Sequence, residues 1–164
     1  MTAGAIVSYV ESRHDGKTSS PYSSMDEVVP GVWVGDCDAR KHVEATNIRV
    51  VVSILSTAAQ RQRLPLPAVV VEYPFVLNDL PDAPIVEVAR EAVTVIETAV
   101  ALRMPVLVHC AAGVSRSPSV VCAYLMQRDR CSFDDALALV RQRRACAAPN
   151  PGFRSALQAA FPLR

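Results

Sequence analysis

The sequence predicts an α/β domain with a mainly parallel central sheet flanked by helices. Two short runs, Val50–Leu55 and Val69–Pro74, are rich in β-branched residues and lack strict alternation. This pattern is typical of parallel strands that are covered on both faces. Strands alternate with helical patterns early in the chain, and helical patterns cluster late. This order of elements favours a parallel sheet with helices packed against it.

The length and composition indicate one globular domain. The chain has 164 residues, of which 51% are hydrophobic and 20% are charged. We expect a flexible N-terminal tail over residues 1–25, where a polar run lacks apolar periodicity, and a single folded domain over residues 26–164. The net charge of +1 excludes a global field that would recruit nucleic acid or an anionic membrane.

The five cysteines contain no C-x-x-C pair, so the sequence offers neither a zinc site nor a redox dithiol. It also lacks a signal peptide and an uninterrupted apolar run of ~18 residues. We therefore expect reduced thiols, no membrane association, and a monomer in the cytoplasm or nucleus.

The elements of the first two thirds of the chain each have a local signal. Val28–Gly35 predicts two edge strands around a Pro-Gly turn, and Asp36 can cap a short helix through Val43. Helical spacing of apolar residues predicts a helix over Pro84–Arg103, with its proline in the first turn. Pro105–Val108 is the next buried strand.

The last third of the chain is helical. Ser117 is a natural N-cap, and a helix follows it. Ser132 and Asn150 are two further caps, and the helices that they open cover roughly residues 133–143 and 151–160.

The most informative stretch is Val106–Pro118, in which a buried strand ends at Cys110 and a capped helix begins near Arg116. A tight loop can turn successive backbone N–H groups inward, and the helix N-terminus adds partial positive charge, so this segment predicts an anion cradle. Gly113 permits the turn, and the guanidinium of Arg116 matches two phosphate oxygens. The expected phosphate-binding residues are Ala111, Ala112, Gly113, Val114, Ser115 and Arg116.

Cys110 is the candidate nucleophile, because a helix N-terminus and a nearby arginine favour a thiolate. A thiolate inside an anion cradle points to attack on phosphorus and to a covalent phosphocysteine. Ser117 could donate to the sulfur when it leaves. His109 is expected to shape the site only, since adjacent residues of a strand point to opposite sides.

The segment His109–Ser117 resembles the His-Cys-x5-Arg-Ser signature of the protein tyrosine phosphatase superfamily, and Ala111–Ser117 resembles its dual-specificity branch. The resemblance covers roughly residues 27–161 and includes Trp33-Val34-Gly35 and Pro149–Phe153. It implies a dual-specificity phosphatase fold of the small atypical kind and metal-free hydrolysis of phosphomonoesters without a cofactor. The implied partners are phosphorylated proteins, with phosphate or another oxyanion in the site.

The resemblance also implies a general acid on the loop before the long helix. Asp79 lies at the spacing that the family uses, whereas Asp82 can be explained as a cap of that helix. In the family, an asparagine corresponding to Asn150 braces a loop through its amide, but capping explains Asn150 equally well.

Three other functions compete with a protein phosphatase. A rhodanese-type sulfurtransferase also places a cysteine in an anion loop, but that loop is one residue shorter. A catalytically silent phosphoprotein-binding module typically replaces the cysteine, which is kept here. A phosphatase of non-protein monoesters tends to carry lysine or histidine inside the loop, where this chain has small residues.

Two further features have simpler explanations. The basic run Arg141, Arg143 and Arg144 is expected to form a solvated helix face rather than a docking site. Cys37 could be inert or could pair with Cys110 on oxidation, and we favour the inert role.

Overall fold

The computed structural model describes residues 24–57 and 65–163. The strands are β1 (Met25–Val29), β2 (Val32–Gly35), β3 (Val50–Leu55), β4 (Val71–Val76) and β5 (Val106–His109). The helices are a 3-10 helix (Cys37–His42), α1 (Ile85–Ala101), α2 (Arg116–Asp129), α3 (Phe133–Arg143) and α4 (Pro151–Ala160).

The five strands form one sheet in the order β1-β2-β5-β3-β4. Only β1 and β2 run antiparallel, while β2, β5, β3 and β4 pair in parallel. The predicted α/β class with a mainly parallel sheet is therefore confirmed. His109 pairs with Gly35 of β2 on one side and with Ser53 of β3 on the other. The carboxyl ends of three central strands thus meet at one edge of the sheet, and Cys110 follows at that edge.

The apolar residues form cores on both sides of the sheet. Helix α1 buries one face, including Ile85, Ala92 and Ile96, and α2 is buried along almost its whole length. The 3-10 helix covers the other side through Ala39, beside Met25. Each fully buried aliphatic side chain stabilises the fold by about 1.5–3 kcal/mol. Because cores lie on both sides of the sheet, β5, which leads into the loop after Cys110, is held by packing on both of its faces.

Two predictions about the sheet are wrong in detail. β4 begins at Val71 instead of Val69, and it is an exposed edge strand rather than one covered on both faces. Pro74 is compatible with an edge strand, because a proline has no backbone N–H to donate to a neighbouring strand. Residues 1–23 of the predicted tail lie outside the described residues. Met25, placed in the tail by the sequence, is buried and begins β1.

The helix caps confirm three predictions. The side chain of Asp36 accepts from Asp38 N and starts the 3-10 helix. Ser132 accepts from Asp135 N in a capping box, and Asn150 accepts from Phe153 N.

Two predicted caps are wrong. Ser117 lies inside α2, whose N-cap position is Ser115, because the chain enters the helix at Arg116. The N-cap position of α1 is Pro84, with no capping side chain, so Asp82 does not cap that helix. Within the described residues, no helix is long and apolar enough to cross a membrane.

Candidate active site

The loop after β5 wraps around the sulfur of Cys110. Gly113 N donates to Cys110 Sγ over 3.2 Å, and the Ser117 hydroxyl lies 3.2 Å from the same sulfur. Gly113 has a φ of 65°, in the left-handed region that favours glycine. A β-carbon there would also lie 2.7 Å from the carbonyl carbon of Gly35, so both the turn and the close approach require glycine. The Gly113 N–H is thus directed at the sulfur, and the Ser117 hydroxyl lies within hydrogen-bond distance of it.

The loop carbonyls are held from outside the cradle. Ala111 O accepts from Cys37 N over 3.1 Å, and Val114 O accepts from Ala148 N over 2.7 Å. Gly113 O accepts from Arg144 Nε over 2.7 Å. In a planar trans peptide the N–H of the next residue points opposite to the carbonyl. The N–H groups that follow these three carbonyls therefore point toward the cradle, where they can bind an oxyanion. They belong to Ala112, Val114 and Ser115.

Arg116 is buried at the edge of the same cradle. Its Nη1 donates to Ser56 Oγ over 3.0 Å and to Leu77 O over 3.1 Å. Its buried Nε has no hydrogen-bond partner among the described residues. A buried donor without a partner costs about 1–3 kcal/mol, and a bound anion would satisfy it. The guanidinium is thus anchored through one nitrogen while another donor is unsatisfied.

Ser117 faces the sulfur from the first turn of α2. Its hydroxyl donates to Gly35 O over 3.0 Å and lies 3.2 Å from Cys110 Sγ. One hydroxyl has one hydrogen, so it can donate to the carbonyl beside a thiol and turn to the sulfur of a thiolate.

Arg144 is a site residue that the sequence analysis missed. It is only 4% exposed, so the predicted solvated position is wrong. Besides Gly113 O, it contacts Asp26 Oδ2 over 3.0 Å and Asp36 Oδ2 over 3.8 Å. The signal was available, because Arg144 continues the helical spacing of the buried residues Leu137 and Val140.

His109 lies behind the loop in a buried polar network. Its Nε2 is 2.9 Å from Ser53 Oγ and 3.3 Å from Arg40 Nη1, and its Nδ1 is 3.1 Å from Cys110 O. Ser53 and Arg40 both donate to Glu72 Oε1 over 2.6 Å. The network joins the residue before Cys110 to edge strand β4.

His109 is neutral at neutral pH, mainly because it is buried. Burial, together with the positive charge of Arg40, lowers the pKa of His109 to about 4. Burial of Glu72 opposes its ionisation, but hydrogen bonds from Arg40 and Ser53 hold the pKa of its carboxyl below the ordinary value. Cys110 O can only accept, so the contact from Nδ1 is a hydrogen bond in the tautomer that carries the hydrogen on Nδ1.

Asp79 is brought to the loop from the segment between β4 and α1. Its Oδ1 accepts from Ser115 Oγ over 2.7 Å and from Asn150 Nδ2 over 2.7 Å. Asn150 N also donates to Ser115 Oγ over 3.0 Å. Asn150 therefore contacts Asp79 through its amide nitrogen and caps α4 through its amide oxygen. Asp82 is exposed.

Cys37 lies at the rim, where its backbone contacts Ala111. Burial and the negative charges of Asp38 and Asp36 raise the pKa of its thiol, which keeps the group neutral. Its pairing with Cys110 on oxidation stays a prediction.

The chain is similar to known proteins over most of the described region. The family of dual specificity phosphatase catalytic domains matches residues 34–161. Dual specificity protein phosphatase MPK-4 of Drosophila melanogaster is 36% identical over 141 residues, which is 82% of this chain and 35% of that protein. Dual specificity protein phosphatase 22-B of Danio rerio is 32% identical over 139 residues, which is 83% of this chain and 73% of that protein.

A solved structure shares the architecture. The crystal structure of the human tyrosine phosphatase-like serine/threonine/tyrosine-interacting protein matches with a TM-score of 0.77 and 26% identity, over 84% of this chain and 95% of that one. This chain spans about a third of the length of MPK-4 and nearly three quarters of 22-B. The chain belongs to the dual specificity protein phosphatases of the protein tyrosine phosphatase superfamily.

Proposed function

We propose that this chain hydrolyses phosphotyrosine and phosphoserine/phosphothreonine monoesters of proteins through a phosphocysteine intermediate on Cys110. The observation that carries the proposal is the loop itself: its carbonyls are held outward while the Gly113 N–H and the Ser117 hydroxyl lie at the sulfur. This geometry supports both a thiolate and an oxyanion beside it.

In the first step, the Cys110 thiolate attacks phosphorus and the S–P bond forms. The bond between phosphorus and the ester oxygen breaks, and this oxygen takes a proton from Asp79. The negative charge of the transferring group is offset by the inward N–H groups of the loop and by the guanidinium of Arg116. The positive end of the α2 dipole contributes as well.

In the second step, water attacks phosphorus and gives a proton to the Asp79 carboxylate. The S–P bond breaks, and the electron pair returns to the sulfur as the thiolate. Ser117 donates to this sulfur as it leaves, since its hydroxyl is 3.2 Å away. Inorganic phosphate and the original thiolate result, so the cycle balances without a cofactor.

A phosphorylated protein side chain is the substrate that the loop favours. The loop between Cys110 and Arg116 carries no lysine or histidine to meet the additional phosphates of a polyphosphorylated ligand. Its side chains are small, and Ala112 is exposed at the surface. A single phosphate on a peptide fits this cradle better than a headgroup with several phosphates.

A matched panel of phosphotyrosine, phosphoserine and phosphothreonine peptides tests the proposal. Wild type should release phosphate from peptides of each kind, and a denaturing quench with labelled phosphopeptide should leave label on Cys110. Cys110→Ser should lose turnover while retaining phosphate binding, because the cradle does not depend on the sulfur.

Three outcomes would contradict the proposal. Turnover by Cys110→Ser at the wild-type rate would exclude the covalent route. Hydrolysis of inositol or sugar phosphates in preference to every peptide would point to a non-protein substrate. Peptide binding without turnover would identify a phosphoprotein-binding module.

A further inference from the structure

The loop that carries Asp79, residues 77–84, rests on the first turn of α4, and we refer to it as the acid loop. Gly152 is the second residue of that helix. A β-carbon at Gly152 would contact the carbonyl oxygen of Pro81 and would lie 2.5 Å from both its carbonyl carbon and its α-carbon. All three atoms are backbone, so a rotamer change cannot relieve this overlap.

Pro81 transmits its position to Asp79 through a short, rigid turn. Ala83 N donates to Leu80 O over 3.0 Å, which closes a turn around Pro81. Proline restricts its own φ, so the turn has little freedom to deform. Asp79 directly precedes the turn, and its Oδ1 is held over 2.7 Å by Asn150, two residues before Gly152.

We infer that the first turn of α4 is a seat for the acid loop, and that Gly152 is a positioning residue which lets Asp79 reach the reacting ester oxygen. This inference rests on the proposed role of Asp79. The three atoms nearest to a β-carbon at Gly152 all belong to Pro81 of the acid loop, and none belongs to the cradle. Its effect is therefore expected on proton transfer and not on phosphate binding.

Gly152→Ala tests the seat, with Ser155→Ala as a matched control on an exposed position of the same helix. Alanine is a better helix former than glycine, so loss of activity would not come from weakening α4. With an alkyl or phenyl phosphate, kcat/KM of Gly152→Ala, which reports formation of the phosphocysteine, should fall at least about tenfold, a part of the 10²–10⁴ that general acid catalysis contributes. With a dinitrophenyl phosphate, whose leaving group needs little protonation, kcat/KM should stay within threefold of wild type, as should phosphate binding.

A double variant shows whether Gly152 acts through Asp79. If it does, Gly152→Ala should add almost nothing to the defect of Asp79→Asn, because the proton donor is already lost. If the defects of Gly152→Ala and Asp79→Asn multiply in the double variant, Gly152 does not act through Asp79 and its effect is a general structural one. If Asp79→Asn alone has no leaving-group dependence, the failure lies in the proposed acid.

Asn150→Asp gives a second test that does not depend on how Gly152→Ala folds. It keeps the oxygen that caps α4 but replaces the donor to Asp79 with a carboxylate. We expect the same leaving-group dependence and a change in the alkaline limb of the kcat profile. If Asn150→Asp and Gly152→Ala both reduce all substrates equally, or neither reduces any, the inference is wrong.

Discussion

Ser115 Oγ donates to Asp79 Oδ1 over 2.7 Å, so the loop that surrounds Cys110 is joined directly to the loop that carries the acid. The two residues are 36 positions apart in the chain. Asn150 completes a triangle with them by donating to both. Asp79 and Asp82 are both exposed on the same loop, so it is this contact that distinguishes Asp79.

Asp79→Asn is expected to lower kcat by about 10²–10⁴, the typical contribution of general acid catalysis. The defect in kcat/KM, which reports formation of the phosphocysteine, should shrink as the leaving-group pKa falls, because a good leaving group needs little protonation. Steady-state kinetics over a series of aryl phosphates measures this dependence. Asp82→Asn is the matched control and should behave like wild type, since Asp82 neither caps α1 nor contacts the cradle. A leaving-group-dependent defect in Asp82→Asn alone would reverse the assignment.

Arg116→Lys is expected to cost about 2–4 kcal/mol in transition-state stabilisation, by analogy with the loss of an oxyanion donor. Lysine keeps the charge but cannot both anchor to Ser56 and Leu77 and present a planar fork to phosphate. The value of kcat/KM for an aryl phosphate measures the loss. A value within threefold of wild type would refute the bidentate role.

Arg144→Met is expected to lower both stability and activity. Removing one partner of a buried ion pair costs about 3–5 kcal/mol, and here it removes the guanidinium that Asp26 and Asp36 contact. Gly113 O also loses its donor, so phosphate binding should weaken. Chemical denaturation and phosphate titration measure the two effects. Arg143→Met, at the half-exposed neighbouring position, should change neither, and equal effects in the two variants would contradict the role of Arg144 as a brace.

His109 is expected to make the fold less stable in acid. Its pKa is about 4 in the folded protein and 6.5 in the unfolded reference, so below pH 6.5 the unfolded chain binds a proton that the folded chain does not. Stability therefore falls as pH falls from about 6.5 to 4, by about 3 kcal/mol from this group. His109→Gln, which cannot titrate, should lose that much less between pH 7 and pH 4. Identical pH dependence of the unfolding free energy in the two proteins would show that His109 titrates normally.

The sequence alone predicted those features that depend on local chemistry. β-branched runs predicted the strands, and Asp36, Ser132 and Asn150 predicted caps, because a cap needs only the residue and the three that follow it. The segment from His109 to Ser117 likewise predicted that a cysteine, a glycine and an arginine lie in one loop. Consecutive residues must share a turn, so their spacing is informative before any packing is known.

The tertiary structure decided what distant segments do to one another. Arg144 continues a charged run in sequence, yet it is buried because Gly113 O, Asp26 and Asp36 surround it. The run Val69–Pro74 is rich in valine, yet β4 lies at the edge of the sheet and most of its side chains are exposed. Burial of a charge and the edge of a sheet depend on the partner that packing supplies. Local spacing therefore determined the nucleophile loop, whereas the contacts that brace it and seat Asp79 arose only when residues far apart in the chain came together.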